Sequence, residues 1–259
     1  VDHGCFAPVI PFLEVFRKHG IELTAQQARG PMGLHKRDHI AALLELPEVA
    51  ARWVEVHGAA HTAQDVQRMF EDEFVPLQMQ CVADHSELIL GLLECVETLR
   101  SRDIRIGTST GYFQEAAQYV YDAAKRQGYE PDFNVCATQV PAGRPAPWMI
   151  YRNMEANEVY PPSSVVKVGD TIPDIGEGLN AGTWTVGTAR TGSEVALRAD
   201  ELAAMSEAQQ QQVVDRAKKT LLDAGAHFVI DSVADLPPLI DEIESRLAAG
   251  ERPRGIGRP

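Results

Sequence analysis

The chain is short of positive charge. Lysine and arginine total 24 against 37 aspartates and glutamates, a formal charge of −13 over 259 residues. Such a surface repels a nucleic-acid backbone or an anionic membrane, so neither is expected as the main partner. An anionic small substrate would need its own local cluster of lysine, arginine and metal. Cysteine is sparse as well: Cys5, Cys81, Cys95 and Cys136 share no C-x-x-C spacing. That scatter suits free thiols in a reducing cytoplasm better than a disulfide framework. Long apolar runs are missing, since the most apolar stretch, Leu88 to Val96, is short and carries Glu94. No basic region followed by an apolar signal core opens the chain. A soluble cytoplasmic protein is expected.

What is present is enough for one large domain, or for a core domain with an insertion: 44% of residues are hydrophobic. Strand patterns are absent before residue 103. Instead, apolar residues recur at helical spacing over Pro8 to His19, Thr24 to Arg29, Met32 to Leu46, Pro47 to His57 and Thr62 to Val82. This block, residues 5–83, reads as a helical cap or lid. From Glu87 the pattern changes to alternation. A helix is predicted from Glu87, then strands at Ile104 to Thr108, Phe133 to Cys136, Val165 to Val168, Trp184 to Gly187 and His227 to Ile230, with helices between and after them. Residues 84–248 therefore predict an α/β core, a doubly wound parallel sheet of Rossmann-like type with helices on both faces. Ligands of such sheets sit at the carboxyl ends of the strands. Residues 249–259, basic and rich in Gly and Pro, predict a disordered tail.

Three strand ends carry chemistry. The first predicted strand runs into Ser109-Thr110-Gly111-Tyr112, where a hydroxyl and backbone N–H groups opening a helix make an anion site; such hydroxyls also cap helices that bind nothing. Pro141-Ala-Gly-Arg144-Pro-Ala-Pro147 places a guanidinium on a stiff loop before a helix, ready to neutralise a phosphoryl oxygen or simply to face solvent. Lys167-Val-Gly-Asp170-Thr-Ile-Pro-Asp174 puts two carboxylates four apart at a strand's end. A carboxylate pair there suits a hard cation such as Mg²⁺; alternatively Asp170 caps the helix and Asp174 favours its first turn. In the helical block, Met32, Lys36 and His39 fall at i, i+4 and i+7, on one helix face. A lysine desolvated between a thioether and an imidazole has a lowered pKa and an amine free to attack a carbonyl, although most helix lysines are exposed and inert.

Thr110, Arg144 and the Gly169-Asp170-x-x-x-Asp174 loop, in that order, resemble the haloacid dehalogenase superfamily, with the helical block as its inserted cap. Pro31-Met-Gly-Leu-His-Lys-Arg-Asp-His39, Thr110-Gly-Tyr112, Pro141-Ala-Gly-Arg-Pro145 and Lys167-Val-Gly-Asp-Thr171 together resemble its phosphonatase family, as do Gly4-Cys-Phe-Ala-Pro8 and Gly225-Ala-His-Phe228. The resemblance implies hydrolysis of the P–C bond of phosphonoacetaldehyde. On it, Lys36 forms a Schiff base with the aldehyde and Met32 and His39 shape that step. Thr110 and Arg144 hold the phosphoryl group, with Gly111, Tyr112 and Cys5 also at the substrate, although Cys5 read by itself is as well a packed thiol. Asp170 binds Mg²⁺ and Asp174 supports it through water. A homodimer joined through the caps is implied too.

The family's nucleophilic aspartate belongs to a D-x-x-G-T-type motif on a first core strand just ahead of the Gly4-Cys5-Phe6 block. This sequence contains neither, and Asp2 is not placed to replace it. The strand is expected upstream of Val1. Two other readings stay open: another capped phosphatase or phosphomutase of the superfamily, and a non-catalytic phosphate-binding remnant.

Overall fold

The computed structural model describes residues 2–254. Its first part is helical: α1 (Val9–Lys18), α2 (Ala25–Arg29), α3 (Lys36–Leu44), α4 (Pro47–His57), α5 (Ala63–Arg68) and α6 (Val75–Cys81). Local chemistry sets their ends. Thr24 and Thr62 accept hydrogen bonds from the backbone N–H groups of Gln27 and Asp65, whose side chains return the bond, so both helices open with capping boxes. Pro47 opens α4 and left-handed Gly58 closes it. A π-helical segment, Met69–Phe74, joins α5 to α6 just ahead of Pro76, which has no N–H to continue the ladder.

The second part alternates: α7 (Leu92–Ser101), β1 (Gly107–Thr110), α8 (Gln114–Arg126), β2 (Phe133–Cys136), α9 (Trp148–Ala156), β3 (Val166–Gly169), α10 (Ile172–Ala181), β4 (Trp184–Thr188), α11 (Ala199–Ala203), α12 (Glu207–Asp223), β5 (Phe228–Ile230) and α13 (Leu236–Ala248). All strand pairs are parallel. β1 pairs with β2, Ser109 opposite Val135; β4 lies between β3 and β5, with Val186 opposite Val168 and Phe228. Side chains alternate across the sheet as the pleat requires. Trp184 and Val186 pack with α7 and α13 through Leu99, Leu236, Ile240 and Ile243. Gly187 turns the other way, toward Leu221 of α12, and Thr185 meets Gly178 of α10. Helices thus cover both faces. The cap has its own apolar centre, Phe12, Phe16, Ile40, Leu43, Leu44, Trp53, Met69 and Phe74, continuous with Phe113, Ala116 and Val120 at α8.

The strands form two sheets, not the expected one. Among the described residues β1 and β3 each have a strand neighbour on one side only, and a cleft of about 900 Å³ runs between their free edges. Ile106, Val166, Val168, Trp184 and Ile240 are among the apolar side chains lining its depth. Other boundaries differ from the periodicity as well. The first strand pairs over Gly107–Thr110, not Ile104 to Thr108; at Ile106 the N–H goes to the Asp132 side chain, while Ile106 O still accepts from the Asp132 N–H. The helix expected from Met32 begins at Lys36, because Gly33 at φ +94° turns the chain and His35 takes the N-cap. The helix expected from Glu87 begins at Leu92, behind left-handed Gly91. The short α11 had no sequence signal. Of the tail, the Arg254 N–H meets His227 Nε2 at 3.0 Å, and residues 255–259 lie outside the described residues. Among the described residues no helix is long and apolar enough to cross a membrane.

Candidate active site

The mouth of the cleft lies at the carboxyl ends of β1 and β3, where the cap closes over it. Met32, Lys36 and Cys5 line it from above, Thr110 to Tyr112 from β1, Arg144 from the loop before α9, and Asp170 and Asp174 from the β3–α10 turn. Closure depends on a glycine contact. A Cβ at Gly33 would sit 2.3 Å from Thr171 Oγ1, so only glycine lets the loop before α3 rest on the start of α10.

Lys36 is buried, 3% exposed. Its Nζ lies 4.0 Å from Met32 Sδ and over the rings of Tyr112 (5.3 Å) and Phe12 (5.8 Å). Burial lowers its pKa to about 8; the nearby Arg144 pushes the same way, against Asp2 and Asp170. Met32 reaches the amine from the turn ahead of α3, not from the helix face the spacing suggested. His39 is fully buried against Phe12, with ring centroids 3.8 Å apart. Its Nε2 lies 2.9 Å from Ala28 O, and because a carbonyl only accepts, Nε2 carries the proton. Nδ1 is then a bare acceptor, buried without a protein partner. Burial and the Lys36 charge hold this imidazole neutral, well below its usual pKa. Burial pushes the Cys5 thiol far up, helped by Asp170 and Asp2, so Cys5 is a neutral wall of the site and not a thiolate. Burial likewise keeps the Tyr112 phenol protonated.

On the core side, Thr171 caps α10 and Asp170 does not: Thr171 Oγ1 accepts from Asp174 N–H (3.3 Å) and donates to Asp174 Oδ2 (2.6 Å). Asp170 is left for other work. Its Oδ2 accepts from Ser193 N–H at 2.8 Å, while Oδ1 has no partner among the described residues. Burial, and then the Asp174 charge, raise its pKa. Asp174 is differently committed. Its Oδ1 lies 3.1 Å from Arg144 Nε and 2.7 Å from Lys167 Nζ. Burial opposes its ionisation, but those two cations hold it well below the carboxylate range. Among the described residues no three His, Cys, Asp or Glu side chains gather as a metal-binding set. Asp170 Oδ1, a carboxylate oxygen lining the cleft, is a donor that fits a hard cation, with water and substrate oxygens completing the shell as Mg²⁺ prefers.

Sequence reasoning passed over Lys167 and Glu177, which complete this floor, and weighed Asp2 only as a nucleophile, a role it was not given. The signals were present: Lys167 lies inside the Lys-Val-Gly-Asp block, and Glu177 follows Asp170 and Asp174 at i+7 and i+3. Asp2 accepts from Ala7 N–H at 2.8 Å and so pins the turn through Cys5 where the chain enters the cap.

This geometry, a helical cap over strand ends that present a hydroxyl, a guanidinium and an acidic loop, belongs to a hydrolase class, and a family model for haloacid dehalogenase-like hydrolases matches residues 10–182. A protein of Syntrophobacter fumaroxidans named phosphonoacetaldehyde hydrolase is 46% identical over 253 residues, 98% of this chain and 91% of the relative. One of the same name from Bacillus cytotoxicus is 44% identical, covering 95% of this chain and 93% of the relative. The crystal structure of a phosphonoacetaldehyde hydrolase-like protein from Oleispira antarctica superposes with a TM-score of 0.95 at 42% identity, covering 97% of this chain and 91% of that one. A β-phosphoglucomutase from Clostridium difficile, 15% identical with a TM-score of 0.67 and covering 96% of this chain and 95% of its own, shares the fold alone. The chain belongs to the haloacid dehalogenase-like hydrolases, in their phosphonoacetaldehyde hydrolase family.

Proposed function

We propose that this chain forms the cap and core of an enzyme that hydrolyses phosphonoacetaldehyde to acetaldehyde and phosphate, with Lys36 as the amine that captures the aldehyde. One observation carries the reading: an amine with its pKa lowered to about 8 is buried in the same cleft as Arg144 and Asp170. A phosphatase acting on esters has no use for such an amine.

Neutral Lys36 Nζ adds to the aldehyde carbon, and uptake of one proton with loss of water leaves a protonated imine. Met32 and the Phe12 and Tyr112 rings keep water from the amine, and neutral His39, packed against Phe12, helps shape the pocket in which the imine forms. Thr110 and the Arg144 guanidinium hold the phosphoryl oxygens, with Gly111 allowing close backbone approach and Tyr112 and Cys5 walling the site. Mg²⁺ at Asp170, when bound, supplies further neutralisation of phosphoryl charge. As the P–C bond breaks, its electron pair passes into the protonated imine to give an enamine. The phosphoryl group passes to an aspartate carboxylate, from which water releases phosphate. Protonation and hydrolysis of the enamine free acetaldehyde and the lysine. We read that aspartate as belonging to a strand upstream of Val1 seated between β1 and β3; the two free edges and the apolar lining of the cleft support this placement. A cytoplasmic location and a homodimer joined through the caps go with the same reading.

Borohydride reduction in the presence of phosphonoacetaldehyde should attach the two-carbon fragment to Lys36, seen by peptide mass spectrometry, and not to Lys36→Ala. Labelling spread over other lysines, or an unlabelled Lys36, defeats the proposal. Faster turnover of simple phosphate esters than of phosphonoacetaldehyde by the protein extended with its upstream strand would favour the phosphatase reading instead.

A further inference from the structure

Beneath the site lies a closed ring of four charges. Glu177 Oε2 meets Arg144 Nε at 3.0 Å and Lys167 Nζ at 2.9 Å, and Asp174 Oδ1 meets the same two nitrogens at 3.1 and 2.7 Å. All four side chains are buried: 8% exposed for Arg144 and Lys167, 5% for Asp174 and 0% for Glu177. Resting on the function proposed above, we propose that Glu177 and Lys167 are positioning residues that lock the Arg144 guanidinium so that one nitrogen, Nη1, faces the phosphoryl group.

The donors can be assigned one by one. Arg144 Nε is taken by the two carboxylates, and Nη2 donates to Ser109 O (2.9 Å) and Ser109 Oγ (2.8 Å). Nη1 alone has no partner among the described residues, and it is not among the fully buried unpartnered atoms. Lys167 has three ammonium hydrogens and three acceptors, Asp174, Glu177 and Ser109 Oγ at 3.3 Å, which leaves none for a substrate. It is therefore a brace and not a ligand. Glu177 looks inward from α10, where an apolar residue would pack without desolvation cost, and its Oε1 is buried unpartnered. A buried ion ring of this kind is a poor source of stability, and the fixed direction of the guanidinium fork is what it does provide. The packing around it is fitted to the task, since a Cβ on Gly178 would meet Lys167 Cγ at 3.1 Å.

Glu177→Gln keeps the shape and removes the charge, leaving Arg144 and Lys167 to compete for Asp174. Two measurements on the full chain separate the ends of the site: calorimetric binding of inorganic phosphate with Mg²⁺, and borohydride trapping of acetaldehyde, which has no phosphorus, on Lys36. The expected result is a loss of about tenfold in phosphate affinity, the low end of what orienting partners cost elsewhere, with trapping within about twofold. Phosphate affinity within about twofold of the parent overturns the proposal. Should Glu177→Gln fail to fold, the charge-neutral pair Lys167→Met/Glu177→Gln takes its place, with the same tenfold loss expected. Equal loss of trapping and phosphate binding in that double variant also overturns it, because the ring would then serve the fold and not the guanidinium. A parent chain that binds no phosphate overturns both this inference and the function; one that binds phosphate but traps no aldehyde removes the Lys36 reading and leaves the phosphate comparison standing.

Discussion

Replacing Lys36 with methionine should make the protein more stable while abolishing its capture of aldehydes. The amine is 3% exposed, and its one hydrogen-bond contact among the described residues is the Met32 sulfur. Burial brings its pKa to about 8 from the usual 10.5. The folded protein thus holds this proton less tightly than the unfolded chain does. Below about pH 8, where both states are protonated, folding carries the whole cost of burying the charge; stability rises with pH through the window from about 8 to 10.5 as the folded amine goes neutral first. At about 1.4 kcal/mol for each pH unit of that window, the cost at pH 7 is about 3 kcal/mol. Methionine has similar length and no charge to desolvate. Lys36→Met should therefore gain about 3 kcal/mol at pH 7, roughly 6–12 °C in melting temperature for a chain of this size. At pH 10 the gain should shrink to under about 1 kcal/mol. Thermal unfolding of both proteins, followed by circular dichroism at the two pH values, reads this directly. A variant no more stable than the parent at pH 7, or one whose advantage persists unchanged at pH 10, would mean that the amine is not held desolvated, and the case for a reactive lysine would go with it.

Two further changes test the cap contact and the cation site. Gly33→Ala would bring a methyl within 2.3 Å of Thr171 Oγ1 at a φ of +94°; it should cost about 1–3 kcal/mol and slow aldehyde trapping on Lys36 while phosphate binding holds, and unchanged trapping would show that this contact does not seat the cap. Asp170→Asn should abolish any rise in melting temperature that Mg²⁺ gives the parent. Because burial and Asp174 raise the Asp170 pKa, its folded carboxyl favours stability in acid and loses that contribution as pH climbs through the folded pKa. The asparagine variant should then be the more stable at pH 7 without metal and gain little in acid, an ordering that melting curves across pH would expose if it were reversed.

Much of the site could be read in one dimension because its parts follow strand ends. Thr110 ends β1, Arg144 precedes α9, Asp170 follows β3 and Asp174 lies in the first turn of α10, and chain alternation places such positions at one edge of a sheet. The cap was legible for a similar reason: Thr24, Thr62, Pro47 and Gly58 mark helix ends by local hydrogen bonding and backbone freedom. Partnership was not legible. Asp170 and Asp174 look equivalent in the sequence, yet one has a free oxygen and the other is held by Arg144, Lys167 and Thr171. Met32, Lys36 and His39 suggested one helix face, but Gly33 breaks the helix and brings Met32 to the amine by a turn. Glu177 resembles any acidic residue of an amphipathic helix until its complete burial is known.

The residues themselves determined which helices and strands form, their parallel order, and the chemical kinds gathered at the strand ends, because capping, periodicity and strand-to-helix alternation act over a few neighbouring positions. Only the tertiary structure decided that Lys36 is dry, that Asp170 keeps an open oxygen, and that β1 and β3 do not pair. Those properties arise from distances between segments far apart in the chain, and desolvation and Coulomb attraction depend on such distances and on nothing that can be counted along the sequence.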